Sequence, residues 1–408
     1  MNLRPTLSAL SRHKSAALIP LLEVALTCAI LCNALFLIQR RINAIDVTTG
    51  VDEAHLVRIQ LGGIGRDDDD RAQTLTDLAA LRALPGVANA SVLSQLPLVN
   101  SSWNTGLSTQ LESDASINAT MYMGDEAMLD TLGLKPSTGR AFTPDEFTDV
   151  MDEAAFSAYQ PHTAIITRTL ADKLYPGQNA LGKPFYTGSA EPITIIGIVD
   201  TLLRPGHGGQ PGESVQYSML LPVRFPYSLV GQYVIRTRPG ADPSAVLDAA
   251  VAELKRQNPR RVFLGQDTFG QIRADYFAQD RAMVWLLGVV SVVLLAVTAF
   301  GIVGLASFWV QQRTKQIGVR RALGATRGDI LRYFQGENFL IVTGGIVLGM
   351  LLAFAINQAL MSRYELPRLP WQVLPIGALV LWLLGQLAVL WPALRAASIP
   401  PATATRSV

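Results

Sequence analysis

Four stretches of this chain are almost wholly apolar: Ala16–Ile38, Met283–Val310, Phe339–Met361 and Val373–Trp391. Each is near or above the ~20 residues that a helix needs to cross a bilayer at about 1.5 Å rise per residue. Inside lipid the backbone must satisfy its own hydrogen bonds, so segments of this kind cross as helices. The sequence therefore reads as an α-helical membrane protein with four transmembrane helices. Only 16% of its 408 residues are charged, against about 25% in a typical soluble domain. That deficit is confined to the four segments. Between the first and the second lies Gln39–Ala282, of ordinary globular composition and long enough to hold a core of its own.

The first segment has a basic flank, Arg12 and Lys14, as a signal peptide would. Its apolar run is longer than such peptides use, and no small-x-small site precedes Gln39-Arg40-Arg41, so it reads as a retained anchor. Orientation follows from the basic residues beside the spans. Arg4, Arg12 and Lys14 flank the first span, and Arg313, Lys315, Arg320, Arg321, Arg327 and Arg332 lie between the second and third. A four-span path puts both groups on one side, the cytoplasmic one. Arg40, Arg41, Arg363 and Arg368 oppose the rule but are fewer. The inserted domain then faces outward. Trp285, Trp309, Trp371 and Trp391 sit near span ends, as interfacial aromatics do. Net charge is +2, too balanced to suggest nucleic acid as a partner. The two cysteines, Cys28 and Cys32, both lie in the first segment and read as buried thiols.

Strand and helix patterns alternate through the inserted domain. HLVRIQL (55–61) has the period of a half-buried strand. The run RDDDDRAQTLTDLAALRALPGV then predicts a helix with acids at its start, where negative charge suits the helix dipole. Its expected buried stripe is Leu75, Leu78, Ala79, Leu81 and Ala83, and Pro85-Gly86 ends it. VANASVLS, TAIIT, PITIIGIVD and QYVIRTR predict further strands, and residues 242–259 a helix with Asp242 as N-cap. The inserted domain is therefore α+β.

Residues 177–184, GQNALGKP, begin like a nucleotide-binding P-loop. Pro184 stands where that loop needs a Ser or Thr for Mg²⁺. The next residues form a β-branched run flanked by prolines, a strand rather than the helix whose N-terminus holds phosphates. The stretch reads as a turn. Asp67–Asp70 lack the alternating spacing of a calcium loop and read as a helix start. His13, His55, His162 and His207 are scattered, with no metal-ligand spacing, and no nucleophile elbow is present. No catalytic residue and no metal site are expected.

The most informative stretch is QQRTKQIGVRRALGATRGDILRYFQGEN (311–338). It is basic, punctuated by Gly318, Gly324 and Gly328, and places Ile330, Leu331 and Phe334 at helical spacing. Such a loop can be a plain positive-inside flank, or a docking element that receives force from a cytoplasmic partner. The run resembles the signature of MacB/FtsX-type (type VII) ABC transporter permeases, close to R-x-x-E-I-G-x-R-R-A-L-G-A. Arg313, Ile317, Gly318, Arg320, Arg321, Ala322, Leu323, Gly324 and Ala325 match; Gln316 stands where the family usually has Glu. LPGVANASVLSQLP, LGLKPSTGRAFTPDEF, TAIITRTLADKLYPGQNALGKPFYTG and ITIIGIVD are similar to successive pieces of the MacB-like periplasmic domain. WPALRAASIPPATATR resembles the family's C-terminal tail, so the resemblance spans nearly the whole chain.

The resemblance implies a layout: cytoplasmic residues 1–15, spans at 16–38, 283–310, 339–361 and 373–391, a periplasmic core domain at 39–282, a coupling loop or helix at 311–338, a short periplasmic loop at 362–372 and a cytoplasmic tail at 392–408. It implies a permease subunit in the bacterial inner membrane. Partners would be a second permease, identical or paralogous, and cytoplasmic ABC ATP-binding subunits, which alone use ATP and Mg²⁺. The chain starts at its first span, so the ATPase is expected to be a separate polypeptide and this chain to bind no cofactor. Members often work with a periplasmic adaptor and an outer-membrane channel. Closure of the ATPases would be relayed through the spans to the outer domains, driving export of an amphipathic substrate. The expected ATPase-coupling residues are Arg313, Gln316, Ile317, Gly318, Arg320, Arg321, Gly324, Ala325 and Ile330. An alternative is an FtsX-like signalling subunit whose outer domain activates an extracytoplasmic partner. A membrane-anchored enzyme is disfavoured by the lack of a catalytic constellation.

Glu23 lies within the first span, where an unpaired carboxylate is expensive. It is expected to serve structure more than function, hydrogen-bonded to a group such as Asn357, Gln358 or Gln386. Gly345-x-x-x-Gly349 in the third span would allow close approach of another helix.

Overall fold

Each apolar segment lies within a longer helix, because polar residues at one or both of its flanks continue the same backbone. The computed structural model describes residues 14–62, 70–99, 103–111, 117–188, 191–206, 212–229, 231–364 and 370–398. The flanking Arg4, Arg12, Arg368, His13, His207, Asp67–Asp69 and the last ten residues lie outside the described residues. The chain divides into two units: Met1–Asn43 with Asp280–Val408, and Ala44–Gln279.

The elements run α1 (Lys14–Ile45), β1 (Leu56–Gly62), α2 (Asp70–Ala83), β2 (Val87–Leu93), β3 (Asn104–Leu107), β4 (Ile117–Gly124), α3 (Met128–Leu132), β5 (Thr138–Gly139), β6 (Thr148–Asp149), α4 (Glu153–Ala158), β7 (Thr163–Thr167), α5 (Arg168–Leu174), β8 (Pro184–Phe185), β9 (Ile193–Val199), β10 (Ser218–Arg224), β11 (Gln232–Thr237), α6 (Pro243–Gln257), β12 (Val262–Thr268), α7 (Phe269–Tyr276), α8 (Ala278–Gln312), α9 (Thr314–Ala322), α10 (Arg327–Tyr364) and α11 (Val373–Ala397). Four of these helices, α1, α8, α10 and α11, are long and apolar enough to cross a membrane.

The inserted unit is built on one mixed sheet, ordered β12-β1-β11-β2-β4-β10-β7-β9-β5, with β3, β6 and β8 added to β4, β10 and β9. β10 runs parallel to β4 and β6, and β7 parallel to β9; the other pairs are antiparallel. Both faces are covered, which is why several strands read as unbroken apolar runs rather than as alternation. On one face Val57, Ile59, Tyr233, Ile235, Met219 and Leu221 meet Leu78 and Leu81 of α2 and Val246, Ala250 and Leu254 of α6. On the other, Leu56, Val234 and Leu220 meet Met128 and Leu132 of α3 and Phe269 and Ile272 of α7.

The predicted stripe on α2 needs correction. Leu78 and Leu81 are buried, but Ala79 and Ala83 are exposed and Leu75 is 57% exposed. The buried face is turned toward Thr74, Asp77, Leu78 and Leu81. The cause is Asp77: its carboxylate accepts from Arg261 at 2.6 and 3.1 Å and from the Tyr233 hydroxyl at 2.6 Å. A charge can be buried when it is paired and hydrogen-bonded, and apolar periodicity alone does not reveal the pairing. By contrast Asp242 caps α6 as expected, accepting from the Ser244 N–H at 3.1 Å.

In the membrane unit, α10 passes close to α1 at Gly345 and Gly349. A Cβ at Gly345 would stand 2.8 Å from the Val24 side chain, and one at Gly349 2.5 Å from Cys28 Cβ. Cys28 and Cys32 are buried and free. The indole N–H of Trp382 donates to Thr343 Oγ1 at 3.0 Å, and the Asn338 amide donates to the Gly385 carbonyl at 2.9 Å, which joins α10 to α11.

Candidate functional site: the helix between the second and third spans

α8 stops where Arg313 leaves helical geometry, at φ −101° and ψ 8°. A short helix, α9, follows. Leu323, Gly324 and Ala325 then turn the chain back with N–H bonds to the carbonyls of Val319, Arg321 and Arg320 at 3.0, 3.2 and 3.0 Å. Gly324 takes φ +98°, a left-handed conformation suited to glycine. Thr326 and Asp329 then open α10 reciprocally: Asp329 Oδ2 accepts from the Thr326 N–H and hydroxyl at 3.0 and 2.6 Å, and the Asp329 N–H donates back to Thr326 Oγ1 at 3.2 Å. The expected coupling segment thus comprises α9, a turn and the first turns of α10.

The residues expected to couple fall on two sides of this hairpin. Ile317, Gly318 and Ile330 are buried, and Ala325 packs against the membrane unit's core. Arg321 is tied inward, donating to the Ala397 carbonyl at 3.1 Å. Gln316, Arg320 and Gly324 are exposed. Val319 and Leu323 share that outer face at helical spacing, and Leu323 is 83% exposed. A large apolar side chain so far out, beside Lys315 and Arg320, makes an amphipathic outer surface.

Sequence reasoning missed what holds the hairpin. Arg313 Nη1 meets Glu337 Oε2 at 2.7 Å, with the carboxylate side chain only 3% exposed. The Arg320 guanidinium lies 4.9 Å from the centre of the Tyr333 ring. Glu337 could have been found as a lone acid two residues before an apolar segment, where a charge needs a partner.

Glu23 does not make the expected hydrogen bond to Asn357, Gln358 or Gln386. Its carboxylate instead lies against Gly301 of α8, where a Cβ would collide with both carboxylate oxygens. The neighbouring polar contact is between the hydroxyls of Thr27 and Thr298, 2.7 Å apart. Only glycine leaves room for the carboxylate there, and a glycine in the facing helix gives no apolar or polar signal to read.

The P-loop-like turn is committed elsewhere. The Gly182 N–H donates to Ile195 O at 2.8 Å and the Lys183 N–H to Ala180 O at 3.1 Å. The Lys183 ammonium stands 4.5 Å over the Tyr175 ring and bonds the Gln178 side chain. Gly177 and Gly182 adopt φ of +70° and +78°, so turn geometry accounts for both glycines. Among the described residues, no group of three or more His, Cys, Asp or Glu is placed to hold a metal ion.

Four membrane-crossing helices, with an α+β domain between the first two and a short amphipathic helix between the second and third, make this a multi-pass membrane protein. A family model described as "MacB-like periplasmic core domain" matches residues 38–253, more than half of the chain, and one described as "FtsX-like permease C-terminal" matches residues 288–401. The chain belongs to the MacB/FtsX-type ABC transporter permease family. It is 25% identical over 296 residues to the "Macrolide export ATP-binding/permease protein MacB" of Chromobacterium violaceum, covering 71% of this chain and 43% of that protein. It is 26% identical over 311 residues to the protein of the same name from Bartonella henselae, covering 71% and 42%. The chain thus spans about two-fifths of the length of these curated relatives. The solved periplasmic region of MacB from Actinobacillus actinomycetemcomitans aligns with a TM-score of 0.34 at 17% identity, covering 56% of this chain and 96% of that one.

Proposed function

We propose that the chain is the membrane subunit of an ABC exporter for an amphipathic substrate, in the bacterial inner membrane. Hydrolysis is carried out by separate cytoplasmic ATP-binding subunits that dock on α9. The observation that carries this reading is the outer face of α9, where Val319 and Leu323 are exposed between Lys315, Gln316 and Arg320. Solvent-exposed apolar residues framed by cations suit a protein partner with an acidic rim. The buried Arg313–Glu337 pair ties the end of α8 to α10, so a push on α9 reaches two spans together.

A second permease, a periplasmic adaptor and an outer-membrane channel are further parts of this proposal. If two different permeases pair, the other would carry the family's Glu at the position of Gln316 and make the stronger charge-assisted contact. Recovery of one permease species at two copies per complex would refute that asymmetry.

The test is co-purification. Leu323→Asp and Val319→Asp, in the full chain, should release the ATP-binding subunit while leaving the chain's thermal stability within about 0.5 kcal/mol, as exposed substitutions usually do. Undiminished co-purification, or ATP hydrolysis by the isolated chain, would overturn the docking assignment. Substrate uptake by inverted vesicles separates export from an FtsX-like signalling role, which would bind a partner and move nothing.

A further inference from the structure

The inserted unit carries a groove of about 440 Å³ between α2 and the loops that follow β4, β6 and β10. That volume lies in the range of small-molecule sites, about 300–1,000 Å³. Its centre is apolar: Leu75, Leu78, Val92, Met151, Phe225 and Pro226. Leu75 is the residue that the α2 stripe misplaced. It projects outward because Asp77 anchors the opposite side of the helix. The groove is thus lined by a helix whose rotation is locked from behind.

Two ion pairs cross the groove's ends. Arg82 meets Asp125 at 3.4 Å and Arg71 meets Asp149 at 3.1 Å. The two arginines are eleven positions apart on α2, about 16 Å at 1.5 Å per residue. These charges differ in how firmly they are held. Arg82 donates twice to the Ala90 carbonyl, at 3.0 and 2.7 Å. Arg224 is held by Glu126 at 2.6 Å and by the Pro144 carbonyl at 3.0 Å. Asp125 accepts from the Ser91 hydroxyl at 2.5 Å and the Ala127 N–H at 3.1 Å. Burial pushes the Asp125 carboxyl up, against the Ser91 hydrogen bond and the nearby Arg82 charge. Among the described residues lining the groove, Arg71 is the arginine held by a single hydrogen bond, and its side chain is more than half exposed. Its partner Asp149 keeps Arg224 at 3.5 Å when Arg71 lets go. Among the described residues, then, the groove sets an exposed, singly held cation, Arg71, beside an apolar floor.

We infer that this groove binds an anionic amphiphile, its acidic head on Arg71 and its apolar body along Leu75, Met151 and Phe225. The head can be that of a free fatty acid or of an anionic phospholipid; both offer the same charge on the same kind of body. Binding needs neither nucleotide nor a second subunit, so its failure would leave the permease reading intact.

The experiment is photo-cross-linking of the full chain in phosphatidylcholine nanodiscs with a medium-chain fatty acid bearing a diazirine. Labelled peptides are mapped by mass spectrometry. Label should fall on residues 71–82 and 224–226, compete with unlabelled carboxylate and resist its methyl ester. Arg71→Gln should lower groove labelling about tenfold, the equivalent of about 1.4 kcal/mol. Leu75→Asn, which removes the body's contact at an exposed site, should lower it independently. Discs that contain phosphatidylglycerol abolish the label if the natural head is a membrane lipid and leave it if it is a free acid. Label confined to the membrane helices, equal competition by the ester, or groove label unchanged in Arg71→Gln would overturn the inference.

Discussion

Arg313 and Glu337 form a 2.7 Å ion pair at the junction of two membrane helices and the helix between them, and the carboxylate is almost wholly buried. Removing one member of such a pair strands the other, which costs about 3–5 kcal/mol, whereas replacing both with apolar residues of similar volume is often neutral. Glu337→Ala should therefore lower the chain's unfolding stability in detergent by about that amount. The double variant Arg313→Met with Glu337→Met should recover most of it. The recovered protein should still couple poorly, because an apolar pair slides where a hydrogen-bonded ion pair does not. Full recovery of ATP-driven transport would show that the pair only fills space.

Asp77, Arg261 and Tyr233 form the corresponding buried group in the inserted unit, with side-chain exposures of 0% and 1% for the ion pair. Asp77→Ala should destabilise the chain by about 3–5 kcal/mol, as breaking a buried pair does. Tyr233→Phe removes one hydrogen bond and leaves Arg261 in place, so about 1–3 kcal/mol is expected. Denaturant titration followed by the inserted unit's fluorescence would measure both. Equal effects from the two substitutions would contradict the central role of the ion pair.

Overpacking a close helix crossing is also costly, typically about 1–3 kcal/mol per added group. Gly349→Ala places its Cβ 2.5 Å from Cys28 Cβ and 2.6 Å from the Ala25 carbonyl, neither of which can step aside without moving α1. Gly344→Ala meets only the end of Leu21, at 3.3 Å. Thermal denaturation in detergent should therefore rank Gly349→Ala well below Gly344→Ala. The reverse order would mean that α10 does not pack on α1 through this glycine.

Glu146 accepts both guanidinium nitrogens of Arg140, at 2.7 and 2.9 Å, and the Thr143 N–H at 2.7 Å. The Arg140 bond and then the Thr143 bonds outweigh burial and hold its pKa at about 2. A depressed carboxylate adds stability above its unfolded value and loses it as pH falls toward the folded one. The contribution should be flat above about pH 5, decline from about 4.5 and vanish near 2. Glu146→Gln should flatten the chain's acid unfolding profile in that window and leave its neutral-pH profile unchanged in shape.

Lys183→Ala should leave ATP hydrolysis by the assembled complex intact and shift stability by no more than about 0.5 kcal/mol, because the ammonium is engaged by Tyr175 and Gln178 on the surface. Loss of hydrolysis in a complex that still assembles would contradict the reading of this turn.

The membrane helices, the alternation of strand and helix in the inserted unit and the caps of α6 and α10 follow from local rules. Hydropathy, period and a polar residue at a helix start act within a few residues of themselves, so the sequence alone determines them. The same holds for the glycines at 324, 345 and 349, whose small size is needed wherever the chain turns or packs closely. Tertiary structure decided what depends on partners far away in the chain. Asp77 turns α2 because Arg261 and Tyr233, more than 150 positions on, reach it. That rotation sends Leu75 outward and makes the groove with Arg71. Glu337 is buried because Arg313 arrives beside it, and Glu23 finds space against Gly301 rather than a hydrogen bond among the amides of the other spans. In each case a charged or polar side chain is placed by long-range pairing, which no period in the sequence encodes.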